Sequence, residues 1–274
     1  GGENPLACTA DNSASAGYTH LVGAVHEHSG YSDGAIASTP ADYYAAGKSA
    51  GLDFVMGSEH SDNTYLPITA DEGCVSEQFP DCFQAPPDGV QKWNRTAAMA
   101  GDATELGFTA IRGFEWTSDR FGHINVFFSA NDLNAKTSTG YTLSMEDFWT
   151  WLGAPADSLN GIGGGSDGLA VFNHPGREDT FHPVTAIAGE DEAYAFNGFE
   201  YRPEHDARVV GIEAYGKSSD YYDSDNNAPA GGWYAHALDQ GWHVGAVGSE
   251  DHHDRDWADP RFAKTVLIAA DNSP

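Results

Sequence analysis

The stretch Leu21-Val22-Gly23-Ala24-Val25-His26-Glu27-His28 reads as a short apolar strand running directly into two imidazoles set two residues apart. In an extended segment such residues point to the same side, so both rings can reach one metal ion. Ser32-Asp33-Gly34 follows as a turn carrying a carboxylate. The same phase recurs along the chain. Leu52 to Met56 is a second strand, with Glu59-His60 behind it; Phe108 to Arg112 is a third, with Glu115 just past it. His123 opens the strand Ile124 to Phe128, and His174 follows the strand Leu169 to Phe172. Glu250-Asp251-His252-His253 follows the strand His243 to Val247. Two more strands are expected at Val209–Ile212 and Thr265–Ala270, the latter buried.

Helical signals alternate with these strands. Thr39-Pro40-Ala41-Asp42 supplies a cap, a proline at the first helical position and an early acid, opening a helix that Gly51 stops. A second helix is expected from about Val90 to Leu106. Ser144-Met145-Glu146-Asp147 has capping-box spacing and opens a third through Trp151, and a fourth covers Trp233 to Leu238. Strand–helix alternation over this length predicts an α/β fold with a barrel as its natural closure. In a barrel the strand ends gather on one face, where the acids and imidazoles would meet.

Composition bounds the rest. The 274 residues suit one large domain and are 40% hydrophobic, enough for a sizeable core. Thirteen basic residues stand against 41 acidic ones, a formal charge of -28 that repels nucleic acids and anionic membranes. No run approaches the ~18 apolar residues of a membrane span. Cys74 and Cys82 bracket a short turn-rich segment suited to a disulfide, which implies an extracellular or periplasmic location; Cys8 is left over.

The order of these motifs resembles the PHP family, named for polymerase-associated and histidinol phosphatase domains. His26-Glu27-His28 with Ser32-Asp33-Gly34 resembles its opening motif, and Leu52 to His60 its second, with Glu59 where the family usually has Asp. Gly113-Phe114-Glu115 with Gly122-His123 is similar to the third, His174-Pro175 to the fourth and Gly248 to His253 to the closing Asp-x-His. The resemblance spans residues 19 to 254. It implies a distorted (β/α)7 barrel over 19–274, with a short extension at 1–18 and loop insertions near 61–88 and 176–206. It also implies a centre of two or three divalent ions that hydrolyses phosphate esters. Carried over by position, His26, His28, Glu115 and Asp251 would hold one ion. Glu115 would bridge to a second completed by His123 and His174, and Asp33, His60 and His253 would hold a third. Glu250-x-His252 has the same spacing as Asp251-x-His253, so the closing pair stays open.

The chemistry suits these residue types. Clustered divalent ions lower the pKa of water from ~15.7 towards ~7 and clamp phosphate oxygens in an in-line transition state. Mixed imidazole and carboxylate ligands suit Zn, Mn or Fe. Glu115 is the expected bridging carboxylate, and His252 a candidate leaving-group acid. Arg177, Lys217 and Arg120 are candidates for gripping phosphate. The expected partner is a small phosphate ester, without a nucleic-acid groove. His182, His205, His236 and His243 are expected to be surface or structural. A binuclear amidohydrolase or lactonase would need a strand-end lysine, of which only Lys217 is a candidate; the non-enzymatic alternative is a metal- or sugar-binding module. Gly161 to Gly168 lacks the Lys-Ser/Thr of a nucleotide loop, and Asp223 to Asn227 lacks the glycine and glutamate of a calcium loop.

Overall fold

Both acid-capped helix starts form in the computed structural model. The structure describes residues 17–63, 91–118, 120–136, 143–157, 163–177, 195–216 and 228–270. Helix α1 spans Pro40–Ala50: the Thr39 N–H donates to the Asp42 carboxylate at 2.7 Å, and Gly51 ends it with φ 77°. Helix α2 is Gln91–Ala103. Helix α3 is Met145–Gly153, where the Asp147 N–H donates to Ser144 Oγ at 3.1 Å and the Ser144 N–H returns a bond to Asp147 at 2.9 Å. Helix α4 is Gly232–Gln240.

Ten strands are described: β1 Thr19–Glu27, β2 Phe54–Gly57, β3 Glu59–His60, β4 Thr109–Ile111, β5 Gly113–Ser118, β6 Gly122–Phe127, β7 Leu169–Phe172, β8 Val209–Tyr215, β9 Gly245–Gly248 and β10 Thr265–Ala269. They form two sheets, in the orders β10-β1-β2-β4 and β3-β5-β6-β7-β8-β9. Parallel pairing dominates, and only β10 and β6 run against their neighbours. The fold is therefore mixed α/β, as the alternation predicts. Helices α1 and α2 pack on each other and on β2 and β4, while α4 packs on β8.

The two sheets are joined on both sides. On one, β2 continues into β3 through Ser58, and β4 into β5 through Arg112. On the other, the Glu250 N–H donates to the Val25 carbonyl at 3.1 Å and the His28 N–H to the His252 carbonyl at 3.0 Å. One apolar cluster draws on strands of both sheets: Val25, Phe54, Met56, Ile111, Phe127, Val171 and Val247. Gly211 of β8 faces this layer, where a Cβ would sit 2.7 Å from Val247 Cγ2. The larger core lies outside it, around Trp116, Phe148, Phe172 and Trp242. No helix among the described residues is long and apolar enough to cross a membrane.

Two expectations are corrected. The strand starting near Phe108 does not end at Arg112 but resumes as β5, which carries Glu115 within it. The terminal strand β10 is not buried: Val266, Leu267 and Ile268 are 52%, 42% and 61% exposed. It pairs with β1 from the end of its sheet and so, among the described residues, has a strand neighbour on one side only. Cys8, Cys74, Cys82, Lys217, His182 and the segment 223–227 lie outside the described residues.

The strand bearing Glu115 starts at a crowded glycine. A Cβ on Gly113 would lie 2.7 Å from the Gly57 carbonyl oxygen and 2.8 Å from that of Val126, neither of which can swing aside. Gly113→Ala is expected to destabilise the protein by about 1–3 kcal/mol, the usual range for overpacking. An unchanged thermal melt of the metal-free variant would contradict this account.

Candidate metal centre

The parallel strands β1, β3 and β5 finish at one end of the molecule, as do β7 and β9. His26 is the penultimate residue of β1 and His28 lies just past its end, His60 closes β3, and His174 lies two residues beyond β7. Strand β6 runs the other way, so its first residues sit at this same end; Thr117 of β5 is paired with His123. All nine side chains that the motif order singles out as ligands meet here, in four overlapping groups.

Glu115 is the hub. Its Oε1 lies 3.1 Å from each of His26 Nε2, His123 Nδ1 and His174 Nε2. Its Oε2 is 2.9 Å from His60 Nδ1 and 3.8 Å from His28 Nε2. Asp251 Oδ1 lies 3.6 Å from His26 Nε2 and 3.5 Å from His28 Nε2. Asp33 Oδ1 is 3.2 Å from both His60 Nε2 and His253 Nε2. Among the described residues the groups that could hold an ion here are His26, His28 and Asp251; His26, Glu115 and His174; His60, Glu115 and His123; and His28, Asp33, His60 and His253, while a fifth, His252, Asp254 and Asp256, shares no residue with them. His26, His28 and His60 are each shared between two groups, which the position-by-position assignment does not include.

The site is deep at one side and open at the other. Glu115, His26 and His28 are buried, whereas Asp33 is exposed and Arg177 and His253 are partly so. Three of the nine residues have backbone in the sparsely populated positive-φ region: His26 at 74°, Asp251 at 43° and His174 at 22°. Strain of this kind persists only where the surroundings over-determine it.

The donor set fits divalent cations. His26 Nε2, His28 Nε2 and Glu115 Oε2 are buried and make no hydrogen bond of regular geometry, although all three face the centre. Unsatisfied buried polar atoms are rare, and an ion among them would restore their missing partners. Electrostatics point the same way. Burial works to raise the Glu115 carboxyl, but His123, His26 and His60 outweigh it and hold the group well below the ordinary carboxylate range. Burial opposes a charge on His60, yet Glu115 and Asp33 raise that imidazole to about 10. His28 is lowered to about 3 by burial and by the neighbouring His253 and His60, so it is neutral and able to ligate.

An outer layer holds these groups in place. Glu59 accepts from the Ser29 N–H at 3.1 Å and from Ser32 Oγ at 2.6 Å, so the longer acid in the second motif stitches down the loop that carries Asp33. Asn173 Nδ2 donates to Glu115 Oε1 at 2.8 Å. Glu213 on β8 lies 2.6 Å from His26 Nδ1 and accepts the His174 N–H at 2.7 Å. Glu213 belongs to none of the sequence motifs. The signal is there, since an acid within the apolar run Val209 to Tyr215 has to be buried and bonded.

Other expected residues lie elsewhere. His252 Nε2 is 2.5 Å from Asp256 Oδ1, and its ring packs on Phe262, so the candidate acid faces away from the cluster. Glu250 pairs with Lys264 at 2.7 Å and accepts the Ala258 N–H. Alternation along the chain explains both, because Asp251 and His253 take the inward positions. Arg177 Nη1 is 2.6 Å from Asp251 Oδ2, at the mouth. Arg120 lies over the Phe121 ring. His205 stacks on Trp149, His243 pairs with Asp206 and His236 packs on Phe199, as structural histidines would.

No protein-family model and no curated protein matches the sequence. Among solved structures its neighbours include two described as metal-dependent phosphoesterases on prediction. One is a two-domain protein from Bacteroides vulgatus containing a predicted PHP-like metal-dependent phosphoesterase: identity is 20%, TM-score 0.49, with 94% of this chain and 61% of that one covered. Another, from Bifidobacterium adolescentis and described as a metal-dependent phosphoesterase, has 13% identity, TM-score 0.41 and coverage of 91% and 93%. A third is Endonuclease Q in complex with a 27-mer duplex bearing an abasic lesion, at 16% identity, TM-score 0.40 and coverage of 89% and 51%. The chain thus spans less than two thirds of the first and third of these.

Proposed function

We propose that the protein is a PHP-type phosphoesterase that hydrolyses small phosphate mono- or diesters at a centre of two or three divalent ions, Zn, Mn or Fe. The observation that carries this reading is the convergence of nine ligand-type side chains, named by motif order, around Glu115. The shared apolar layer and the bonds joining β1 to the segment after β9 support a distorted (β/α)7 barrel over residues 19–274. Cys74 and Cys82 support a location outside the cytoplasm.

Ions bound here would supply Lewis acidity, making water nucleophilic at neutral pH and drawing charge from phosphate oxygens. The chain does the rest. Glu115 is shared between the His26–Glu115–His174 and His60–Glu115–His123 groups, and Asp251 and Asp33 serve the other two. Arg177 presents a cation at the mouth, beside Asp251, where it can grip a phosphate oxygen. A small ester suits the charge balance, since a surface of net charge -28 repels a polyanion while the centre attracts a single phosphate. The amidohydrolase alternative calls for a lysine at the centre. None of the four described lysines is there: Lys48 pairs with Glu105, Lys136 with Asp62 and Lys264 with Glu250, and Lys92 donates to the Tyr31 carbonyl.

The test is turnover of chromogenic phosphate mono- and diesters by the protein loaded in turn with Mn2+, Zn2+ and Fe2+. His26→Ala is expected to lose activity with each metal. Turnover equal to that of the parent protein would remove the proposal.

A further inference from the structure

Glu213 belongs to no group of candidate ligands, yet it touches two residues that do. It lies on β8, paired with Val247 of β9, and is buried. One carboxylate oxygen meets His26 Nδ1 at the end of β1, and the other meets the backbone N–H of His174 beyond β7. Neither β1 nor the segment after β7 is linked to the other by a strand ladder. The two imidazoles nevertheless stack with their centroids 5.6 Å apart, and both residues have positive φ.

We propose that Glu213 is a positioning residue that fixes the tautomer of His26 and the backbone of His174 together, and thereby sets the metal affinity of the His26–Glu115–His174 group. This rests on the metal-centre reading above. A proton on Nδ1, donated to Glu213, leaves Nε2 as the lone pair that faces Glu115 and Asp251. The second oxygen supplies the acceptor for the N–H of a residue held at an unfavourable φ. With both oxygens engaged, Glu213 acts on the ions through its neighbours.

Glu213→Gln tests the idea because an amide has one acceptor oxygen where the carboxylate has two, so it satisfies His26 or His174 but not both. Glu213→Asp keeps the charge on a shorter arm. Each protein is stripped with a chelator and titrated with Co2+, following the visible absorption of bound cobalt and its competition by Zn2+. The expected result is a roughly 10–100-fold weaker affinity in one class of sites for Glu213→Gln, with a smaller loss for Glu213→Asp. Sites of the Asp33–His60–His253 class keep the affinity of the parent, and the circular dichroism of the metal-free proteins is unchanged. Parent-like affinity in both variants would overturn the assignment of Glu213 alone, and so would loss of fold in both, which marks a merely structural acid. A parent protein that takes up no cobalt would overturn the metal-centre reading and this assignment with it.

Discussion

Glu115→Gln is expected to leave a folded protein with a depleted metal complement and at least about a thousandfold less phosphoesterase activity, since changes one layer further out already cost roughly 10–100-fold in metal affinity or activity. The geometry gives the reason. Glu115 Oε1 has three imidazole nitrogens at 3.1 Å, and Oε2 has a fourth at 2.9 Å. Glutamine preserves the shape but turns one oxygen into an NH2 group, which points hydrogens at nitrogens that need a cation or an acceptor. It also removes the central negative charge that lets several imidazoles and divalent ions share one buried volume. Metal analysis beside ester turnover decides the matter. A variant with the full metal complement and intact turnover would show that Glu115 is a bystander.

Most of the inner ring was legible in the sequence because strand-end phase is a local property. An apolar run followed by an acid or imidazole predicts where a side chain emerges, and His26, His60, His174 and Asp251 all emerge there. Longer-range choices were not legible. Glu250-x-His252 and Asp251-x-His253 have one spacing and alternate along the chain, so which pair faces inward depends on how the chain leaves β9, where Asp251 has φ 43°. The apolar run around Glu213 marks it as a buried, bonded acid, but its partners lie 187 and 39 residues away and no local pattern names them. The apolar run Thr265 to Ala270 looks like a core strand. Its exposure follows from its place at the end of a sheet, which depends on the order of strands in space.

Removing the metal should have the second large effect, and its size should grow with pH. At free metal a thousandfold above its dissociation constant, each ion contributes about 4.1 kcal/mol to stability. For a domain of this size about 1 kcal/mol moves the melting temperature by roughly 2–4 °C, so stripping two ions lowers it by on the order of 15 °C or more. The pH dependence has a definite sign. His60 in the metal-free fold is raised to about 10 by Glu115 and Asp33 against the cost of burial. Its contribution is thus fully present below the unfolded imidazole value of about 6.5 and is lost as pH rises towards 10. Glu115 is depressed, so its contribution is present above the unfolded carboxyl value of about 4.3 and is lost in acid. Ions compete with the proton on His60, and rising pH therefore strengthens metal binding while it weakens the metal-free protein. Between pH 6.5 and 10 the gap between the melting temperatures of loaded and chelated protein should widen. A gap that stays constant or narrows over that window would mean that the buried imidazoles are not where the ions bind.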